Sequence, residues 1–459
     1  GGGVRPGGEV RRRRLASASL CMVAAWLLTG SPALGQAGSP AGPVPVERLA
    51  ARRAALLDGI GIGIAILSAN RVRSIEGDYP QDSDYREDND FFYLTGLEAP
   101  GAWLVLVARD TAPDETLLFL PPPHPSAERW TGRGGLRPEE ASRLTGIADI
   151  RAATTAEEEI QSLVFGTRSP ARTGSLLIRR EWRQAESPFL RRLVFSEGVL
   201  GPPVPVADLD ARVGQLRLVK DPEELRRLRR AVAITSEALR ETMALARPGM
   251  YEYELEARIE YVFRRNGAER LGFPSIVGSG PNGTALHYDR NRRRTRQGDL
   301  VVMDVGAEFG YLTADITRTI PITGRFTARQ RALYDLVLGS QQAALDQVRP
   351  GATLQELNHV ARSYMRERSG SLCGTSTCER YFVHGLSHWL GMDVHDAGSY
   401  ATPLAPGMVF TVEPGIYLPE EGLGIRIEDD VLVTAAGYEL LSAGTPRTAD
   451  EVERAMAAR

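Results

Sequence analysis

The stretch LVVMDVGAEFGYLTADITRTIPI, residues 300–322, contains two segments rich in apolar and β-branched residues on either side of Gly310. These segments predict two β-strands that pair through a turn, which we place between Phe309 and Gly310. Asp304 and Asp315 then lie directly opposite each other, with Cβ atoms about 5 Å apart. Two carboxylates in an apolar sheet repel each other and are costly to desolvate, and a bound cation removes both penalties. The stretch therefore predicts a metal-binding hairpin; a shared proton or a solvated surface hairpin are the alternatives.

A second pair of strand-like segments lies downstream, GMVFTVEPGIY (407–417) and GLGIRIEDDVLVT (422–434). A single glutamate, Glu413, interrupts the apolar part of the first segment, and Glu428 does the same in the second. The two glutamates are symmetric about the polar turn at 420–421. If the second hairpin turns at 420–421, Glu413 and Glu428 lie directly opposite each other, as expected for the two aspartates of the first hairpin.

Three of the six histidines fall in VHGLSHWLGMDVHD, residues 383–396: they are His384, His388 and His395. A lone histidine is more often a satisfied structural residue, but three in twelve residues, with an aspartate on each side of the last, indicate a functional cluster. A fourth histidine, His287, lies in the Gly-rich loop GSGPNGTALHYD, where a structural role is equally open.

Four carboxylates and one imidazole form an oxygen-rich ligand set. Such a set suits Mn²⁺, with Co²⁺ and Zn²⁺ as alternatives, better than it suits a thiolate-type zinc site. Carboxylates that can bridge favour two ions about 3.5 Å apart, and such a pair lowers the pKa of a bridging water and polarises a substrate carbonyl. We therefore expect two divalent metal ions, held by Asp304, Asp315, His388, Glu413 and Glu428.

The chain of 459 residues is long enough for two domains, and its net charge of -3 leaves no basic excess for binding nucleic acid. Consecutive prolines in GPPVPV, 201–206, mark the boundary between an α/β pattern and a second domain that begins with two long helices. In the first domain, FFYLTGL and AWLVLVA are expected strands. The expected limits are 46–205 for the N-terminal domain, 206–451 for the catalytic domain and 452–459 for a tail.

The N-terminus has the order of a secretory signal: the basic run 11–14, an apolar stretch over 15–28 and small residues near 33–37. We expect a signal peptide over 1–37, a linker over 38–45, and a secreted or periplasmic protein, with a cytoplasmic one as the alternative. The apolar stretch is too short for a comfortable membrane span, so none is expected in the mature chain.

The two cysteines beyond the leader, Cys373 and Cys378, lie five residues apart. In an oxidising compartment they suit a small disulfide loop, and two free thiols are the alternative.

The C-terminal half resembles the pita-bread metallopeptidases, which include methionine aminopeptidase, prolidase and aminopeptidase P. The similarity covers about residues 215–440 and includes MDVGAEFGYLTADITRT, HGLSHWLG, TVEPGIY and RIEDD in the family's order. The stretch YREDNDFFYLTGLEAPGAWLVL, 85–106, is similar to the N-terminal domain of bacterial aminopeptidase P. The resemblance implies an α/β (α+β) chain, with an N-terminal α/β domain before a pita-bread catalytic domain. It also implies an Xaa-Pro aminopeptidase, active as a homo-oligomer (dimer or tetramer) on peptides with an Xaa-Pro N-terminus.

The resemblance also implies roles for single residues. A hydroxide bridging the two metal ions would attack the scissile carbonyl, and Glu413 would accept and relay its proton. His287 and His395 would stabilise the oxyanion and orient the substrate, and His384 would line the proline pocket. Arg426 and Tyr417 would hold the carboxylates in place. Asp90 and Trp130 would help to form the substrate pocket, through a neighbouring subunit.

Two other functions share these features. An Xaa-Pro dipeptidase (prolidase) uses the same fold and metals, but it needs a device that recognises the free carboxylate of a dipeptide. A non-catalytic binding module of this fold typically lacks part of the ligand set, whereas all five ligand types are present here.

Overall fold

The computed structural model describes most of the chain beyond the leader. The described residues are 39–73, 85–125, 129, 135–167, 169–179, 188–195 and 204–458. Within these ranges no helix combines the length and apolar character that crossing a membrane requires. The expected signal peptide and Trp130 lie outside the described residues.

The N-terminal half is built on a six-stranded mixed sheet with the order β4-β3-β2-β1-β5-β6. β1 pairs antiparallel with β2 and parallel with β5, and β3 pairs parallel with β4. Its strands are β1 Gly63–Ser68, β2 Trp103–Ala108, β3 Glu115–Leu120, β4 Asp149–Ala152, β5 Ser175–Ile178 and β6 Val206–Asp208. Its helices are α1 Val46–Ile60, α2 Asn89–Thr95, α3 Pro138–Thr145, α4 Ala156–Phe165 and α5 Pro188–Phe195.

One of the two strands expected in this half is a helix. AWLVLVA is confirmed as β2, but FFYLTGL belongs to α2. The carboxylate of Asp88 accepts a hydrogen bond from the N–H of Phe91 and caps the helix, and Gly96 ends it with a φ of 65°. All seven residues of α2 are buried, and a short apolar run buried on all sides carries no periodicity that separates a helix from a strand.

The residues at the expected domain limits are ordered as follows. β6 pairs with β5, so the N-terminal sheet extends past the boundary expected at residue 205. The expected linker is packed rather than free: Ala41 and Val44 are buried, and Arg226 donates to the carbonyl of Ala41. The expected tail is mostly helical, because it falls in the last helix, Ala449–Ala457.

The C-terminal half contains four small sheets, with the orders β12-β9-β8, β11-β10-β7, β13-β16-β17 and β14-β15. Asp221 caps the longest helix of this half, Pro222–Leu245, because its carboxylate accepts from two backbone N–H groups at the start of that helix. Its helices are α6 Leu209–Leu218, α7 Pro222–Leu245, α8 Glu252–Arg265, α9 Ala328–Leu345, α10 Leu354–Arg368 and α11 Ala449–Ala457. Its strands are β7 Arg270–Leu271, β8 Ile276–Ser279, β9 Leu300–Val305, β10 Ala307–Phe309, β11 Leu312–Thr313, β12 Ile316–Pro321, β13 Val409–Val412, β14 Gly415–Leu418, β15 Leu423–Arg426, β16 Asp429–Thr434 and β17 Gly437–Leu440.

The register of the first metal hairpin differs from the prediction by two residues. Asp304 lies opposite Thr317, not opposite Asp315. The cause is the turn, which consists of Gly310 and Tyr311, both with positive φ (57° and 72°). Such a two-residue turn matches the twist of the flanking strands. Asp315 therefore lies diagonal to Asp304, two residues from its partner position and on the same face of the hairpin.

Tyr311 is an unusual residue for a left-handed turn position, which costs a residue with a side chain about 1–2 kcal/mol. Contacts with the N-terminal half offset this cost. Its ring stacks on Phe92 with the centroids 3.6 Å apart, and its hydroxyl donates to Glu98 at 2.8 Å and accepts from the N–H of Glu87 at 2.9 Å. The tip of the metal hairpin is thus anchored in the other half of the protein.

Cys373 and Cys378 form a disulfide in the loop after α10. The expectation of a small disulfide loop is therefore confirmed. Cys378 is fully buried, and its N–H donates to the hydroxyl of Ser369 at 2.6 Å.

Candidate metal centre

The five predicted ligands converge on one site, and most of them lie where a strand is interrupted. Asp304 lies in β9, and Asp315 lies between β11 and β12. Glu413 lies between β13 and β14, and Glu428 lies between β15 and β16. β13 pairs with β16 and β14 pairs with β15 in one continuous register, so the two glutamates lie opposite each other. The predicted symmetry of these two glutamates is therefore confirmed. His388 lies in the loop before β13, and its carbonyl accepts from the N–H of Thr411 in that strand.

The imidazole of His388 is the centre of the cluster. Its Nε2 lies 3.3 Å from Asp315 Oδ2, 3.4 Å from Glu413 Oε1 and 3.9 Å from Glu428 Oε1. Its Nδ1 lies 3.1 Å from the carbonyl oxygen of Trp389. A proton on Nδ1 satisfies that carbonyl and leaves the lone pair of Nε2 directed at the carboxylates, as metal ligation requires.

The charges of the cluster are unbalanced. Burial raises the pKa of Asp315 well above its usual value, and the nearby carboxylate of Asp304 raises it further. Burial also raises the pKa of Glu428, with Asp315 as the next cause. Burial raises the pKa of Glu413 to about 7. Four carboxylates stay ionised together in this space only when positive charge compensates them.

Two buried oxygens show that the donor set fits cations. Asp304 Oδ1 and Asp315 Oδ1 are shielded from solvent and have no hydrogen-bond partner in the protein. Donor atoms of Asp315, His388 and Glu428 all lie within 4.8 Å of one another. Unpaired buried oxygens of this kind need a partner, and divalent metal ions are the partners that carboxylates and an imidazole prefer.

Arg426 holds one of the carboxylates, and Tyr417 bonds to Arg426. Arg426 is 3% exposed; it donates to Asp304 Oδ2 at 2.7 Å and to the hydroxyl of Tyr417 at 2.8 Å. The sequence reasoning missed Thr317, whose hydroxyl donates to Glu428 Oε2 at 2.6 Å and accepts from Arg426 Nε at 3.2 Å. The correct hairpin register, which places Thr317 opposite Asp304, is the signal that identifies it.

The other three candidate histidines surround the cluster. His384 lies 2.8 Å from the Tyr417 hydroxyl through Nε2, and burial, followed by the charge of Arg426, lowers its pKa to about 4. The ring of His395 packs edge to face on that of His388, with the centroids 4.3 Å apart. Burial lowers the pKa of His395, and the charge of His388 lowers it further. The carbonyl of Leu286 accepts from Arg426 Nη2 at 3.4 Å, so the backbone next to His287 lies beside the cluster.

Asp90 does not belong to this group. It is 4% exposed, and its Oδ1 accepts from Arg217 Nη1 at 2.7 Å. The structure therefore places Asp90 in a buried ion pair, apart from the side chains around His388.

Comparison with known proteins agrees with this geometry. Residues 226–435 match the profile of Metallopeptidase family M24, and residues 49–170 match that of Aminopeptidase P, N-terminal domain. The chain is 37% identical over 438 residues to the Xaa-Pro aminopeptidase of Escherichia coli, covering 89% of this chain and 97% of that protein. It is similar to the solved structure of zinc-substituted E. coli aminopeptidase P in complex with product, with a TM-score of 0.81 and 33% identity over 91% of this chain and 100% of that chain. It is also similar to proline aminopeptidase P II from Yersinia pestis, with a TM-score of 0.82 and 34% identity over 91% of this chain and 100% of that chain.

Proposed function

Since the chain belongs to metallopeptidase family M24, with the N-terminal domain of aminopeptidase P, we propose that it is an Xaa-Pro aminopeptidase. It is a metal-dependent hydrolase with an N-terminal α/β domain and a C-terminal pita-bread domain. Its reaction releases the N-terminal residue from peptides that have proline in the second position. The observation that carries this function is the convergence of Asp304, Asp315, His388, Glu413 and Glu428 at one buried site.

These five side chains would hold two divalent ions, for which we propose Mn²⁺ because the set is hard and rich in oxygen. When bound, the ions supply Lewis-acid activation of the scissile carbonyl and a nucleophile at neutral pH. Arg426 and Thr317 keep the carboxylates in place by donating to Asp304 and Glu428. Holding carboxylates from behind in this way fixes their orientation towards a metal.

Glu413 is the residue we assign to proton transfer. Its side chain is 16% exposed, more than that of Asp304, Asp315 or Glu428, which are 11%, 6% and 2% exposed. One of its oxygens, Oε2, lies 3.7 Å from His384 Nδ1 at the rim of the cluster. Glu413 is therefore the carboxylate best placed to accept a proton at the site and deliver it to the departing amine.

The histidines bind and orient the peptide. We assign His287 and His395 to the developing oxyanion, because the ring of His395 packs on that of His388 and the residue before His287 bonds to Arg426 beside the cluster. We assign His384 to the proline ring, because its imidazole is fixed by the Tyr417 hydroxyl. A bond to proline has no N–H on its nitrogen, so a site of this kind recognises the ring and the carbonyl rather than an amide donor.

The function is tested by comparing Xaa-Pro-Yaa, Xaa-Ala-Yaa and Xaa-Pro peptides, with the metal first removed by a chelator and then returned. We expect no hydrolysis by the metal-free protein, and recovery that is highest with Mn²⁺ among Mn²⁺, Co²⁺ and Zn²⁺. We expect Xaa-Pro-Yaa to be cleaved at least about tenfold faster than Xaa-Ala-Yaa, since ring recognition supplies ~1–3 kcal/mol. Faster cleavage of the Xaa-Pro dipeptide than of the tripeptide would instead make the protein a prolidase.

We further propose that the protein is secreted or periplasmic, on the basis of the basic, apolar and small-residue order over 11–37. Cell fractionation with N-terminal sequencing of the recovered protein tests this. A full-length chain in the cytoplasm would contradict it.

We also propose a homo-oligomer, a dimer or a tetramer, by analogy with the aminopeptidases P that the sequence resembles. Light scattering of the purified protein measures its mass directly. A mass near the 50.1 kDa of one chain would rule the proposal out.

A further inference from the structure

Asp396, in the loop that carries His395, forms buried ion pairs with residues packed against that loop. We call the four side chains the buried ion cluster: Asp90, Arg217, Lys220 and Asp396. Each of the four side chains is at most 5% exposed. Arg217 donates to Asp90 at 2.7 Å and also to Asp396, while Lys220 Nζ donates to Asp396 Oδ2 at 2.9 Å. Lys220 is the only lysine of the chain.

The buried ion cluster joins three parts of the protein. Asp90 belongs to α2 in the N-terminal half, Arg217 lies at the end of α6, and Lys220 lies just before α7. Burial opposes the ionisation of Asp396, but the charges of Arg217 and Lys220 outweigh it and lower its pKa to about 2. Asp396 is therefore a carboxylate held by two cations.

Asp396 in turn determines the shape of the loop between His388 and His395. Its N–H donates to the carbonyl of Trp389 at 2.9 Å, and its Oδ1 accepts from the N–H of Asp393 at 3.3 Å. The loop backbone also packs directly on the charges. A Cβ at Gly391 would lie 2.1 Å from Asp396 Oδ2 and 2.9 Å from Lys220 Nζ.

We propose that the buried ion cluster positions the imidazole of His395: Lys220 and Arg217 fix Asp396, which directly follows that histidine. Both cations are positioning residues, since their charged groups bind Asp396 and not the metal ligands. The proposal rests on the proposed function, because that function assigns His395 to the substrate.

Stability alone is a weak reason for such a cluster. Apolar residues of similar volume commonly replace buried ion pairs with no loss of stability, whereas directional bonds fix one conformation. Three of these bonds converge on the two oxygens of Asp396, from Arg217, Lys220 and the N–H of Asp393. The residue next to Asp396 is the one whose ring contacts that of the metal ligand His388.

A double-mutant cycle tests the proposal: kcat, KM and metal content are measured for the unmodified protein, Lys220→Met, His395→Ala and the double variant. We expect Lys220→Met to lower kcat about tenfold, with a smaller change in KM and full metal content, because a small misplacement of a substrate-contacting group slows the reaction. In the His395→Ala background we expect Lys220→Met to have no further effect, since the imidazole that it positions is absent. Losses that add in the double variant would overturn the proposal.

Arg53→Met is the matched control. Arg53 is also buried, at 5% exposure, but its guanidinium donates to the carbonyls of Leu94 and Thr145 and not to a member of the buried ion cluster. We expect this variant to lower the melting temperature without lowering kcat. A loss of kcat equal to that of Lys220→Met would assign the effect to general destabilisation and overturn the proposal.

Two further outcomes are separable. If Lys220→Met does not fold, Asp393→Asn carries the same test, because Asp393 binds Arg217 Nη2 at 2.9 Å but is half exposed. Its loss of kcat should be smaller and should likewise vanish in the His395→Ala background, and additive losses would again overturn the proposal.

An unmodified, metal-loaded protein without peptidase activity would overturn the proposed function, whereas an active protein whose kcat is unchanged by Lys220→Met would overturn only the positioning role.

Discussion

Asp315→Asn is expected to abolish turnover and, at the same time, to stabilise the metal-free protein. The substitution keeps the shape of the side chain but removes a charge from a site with four carboxylates. Because this carboxylate is a ligand whose Oδ1 has no protein partner, we expect kcat/KM to fall on the order of a thousandfold or more and the metal content to drop.

The effect on stability should depend on the metal. Without metal, Asp315 is buried beside Asp304, and the cost of its charge is relieved by an amide. We therefore expect the metal-free variant to melt about 2–4 °C above the metal-free unmodified protein, as ~1 kcal/mol would produce. With Mn²⁺ in excess the order should reverse, because only the unmodified protein gains binding energy.

Asp335→Asn is the matched control for this prediction. Its carboxylate lies on the outer face of α9, where the side chain is 55% exposed. In calorimetry, the difference in melting temperature between Asp335→Asn and the unmodified protein should have the same sign with and without Mn²⁺. A metal-free Asp315→Asn protein less stable than the metal-free unmodified protein would show that the acidic cluster is not repulsive.

Arg426→Lys should lower kcat/KM by about 10- to 100-fold, the usual cost of losing a group that orients metal ligands. The guanidinium donates to Asp304 Oδ2, the Tyr417 hydroxyl and the Thr317 hydroxyl at the same time. The ammonium of lysine is a point donor on a flexible stem and does not span three partners in different directions. Steady-state kinetics together with Mn²⁺ titration measure the loss.

The positive charge is conserved in this variant, so a loss of activity would result from the changed positions of the hydrogen-bond donors. Arg325→Lys is the control, because Arg325 is 86% exposed and makes only a 3.6 Å ion pair with Glu453. Activity of Arg426→Lys within about twofold of the unmodified protein would contradict the role we assign to the N–H donors of the Arg426 guanidinium.

The ligand set could be read from the sequence because each carboxylate interrupts an apolar segment. Glu413 and Glu428 could even be paired correctly, since their hairpin is symmetric about a polar turn. The register of the other hairpin could not be read, because its turn contains Tyr311 in a left-handed conformation. Distant contacts with Phe92, Glu98 and Glu87 make that conformation acceptable, and no local pattern indicates such contacts.

Two features of the N-terminal half have a similar explanation. The residues of α2 are buried on every side, so periodicity does not separate a helix from a strand there, and only the caps distinguish them. Asp90 has the residue type of a pocket acid, but its partner Arg217 lies 127 positions away. Pairings across such separations depend on the packing of the two halves against each other, which single-sequence reasoning does not reach.

The Tyr311 anchor limits how modular this enzyme is. A catalytic half expressed alone would keep every metal ligand, but the tip of its hairpin would lose the aromatic and acidic neighbours that make the left-handed turn tolerable. The left-handed conformation of Tyr311 would then be unfavourable, and the turn between the strands bearing Asp304 and Asp315 would be less stable. The N-terminal half thus stabilises the catalytic hairpin through contacts that are distant in sequence.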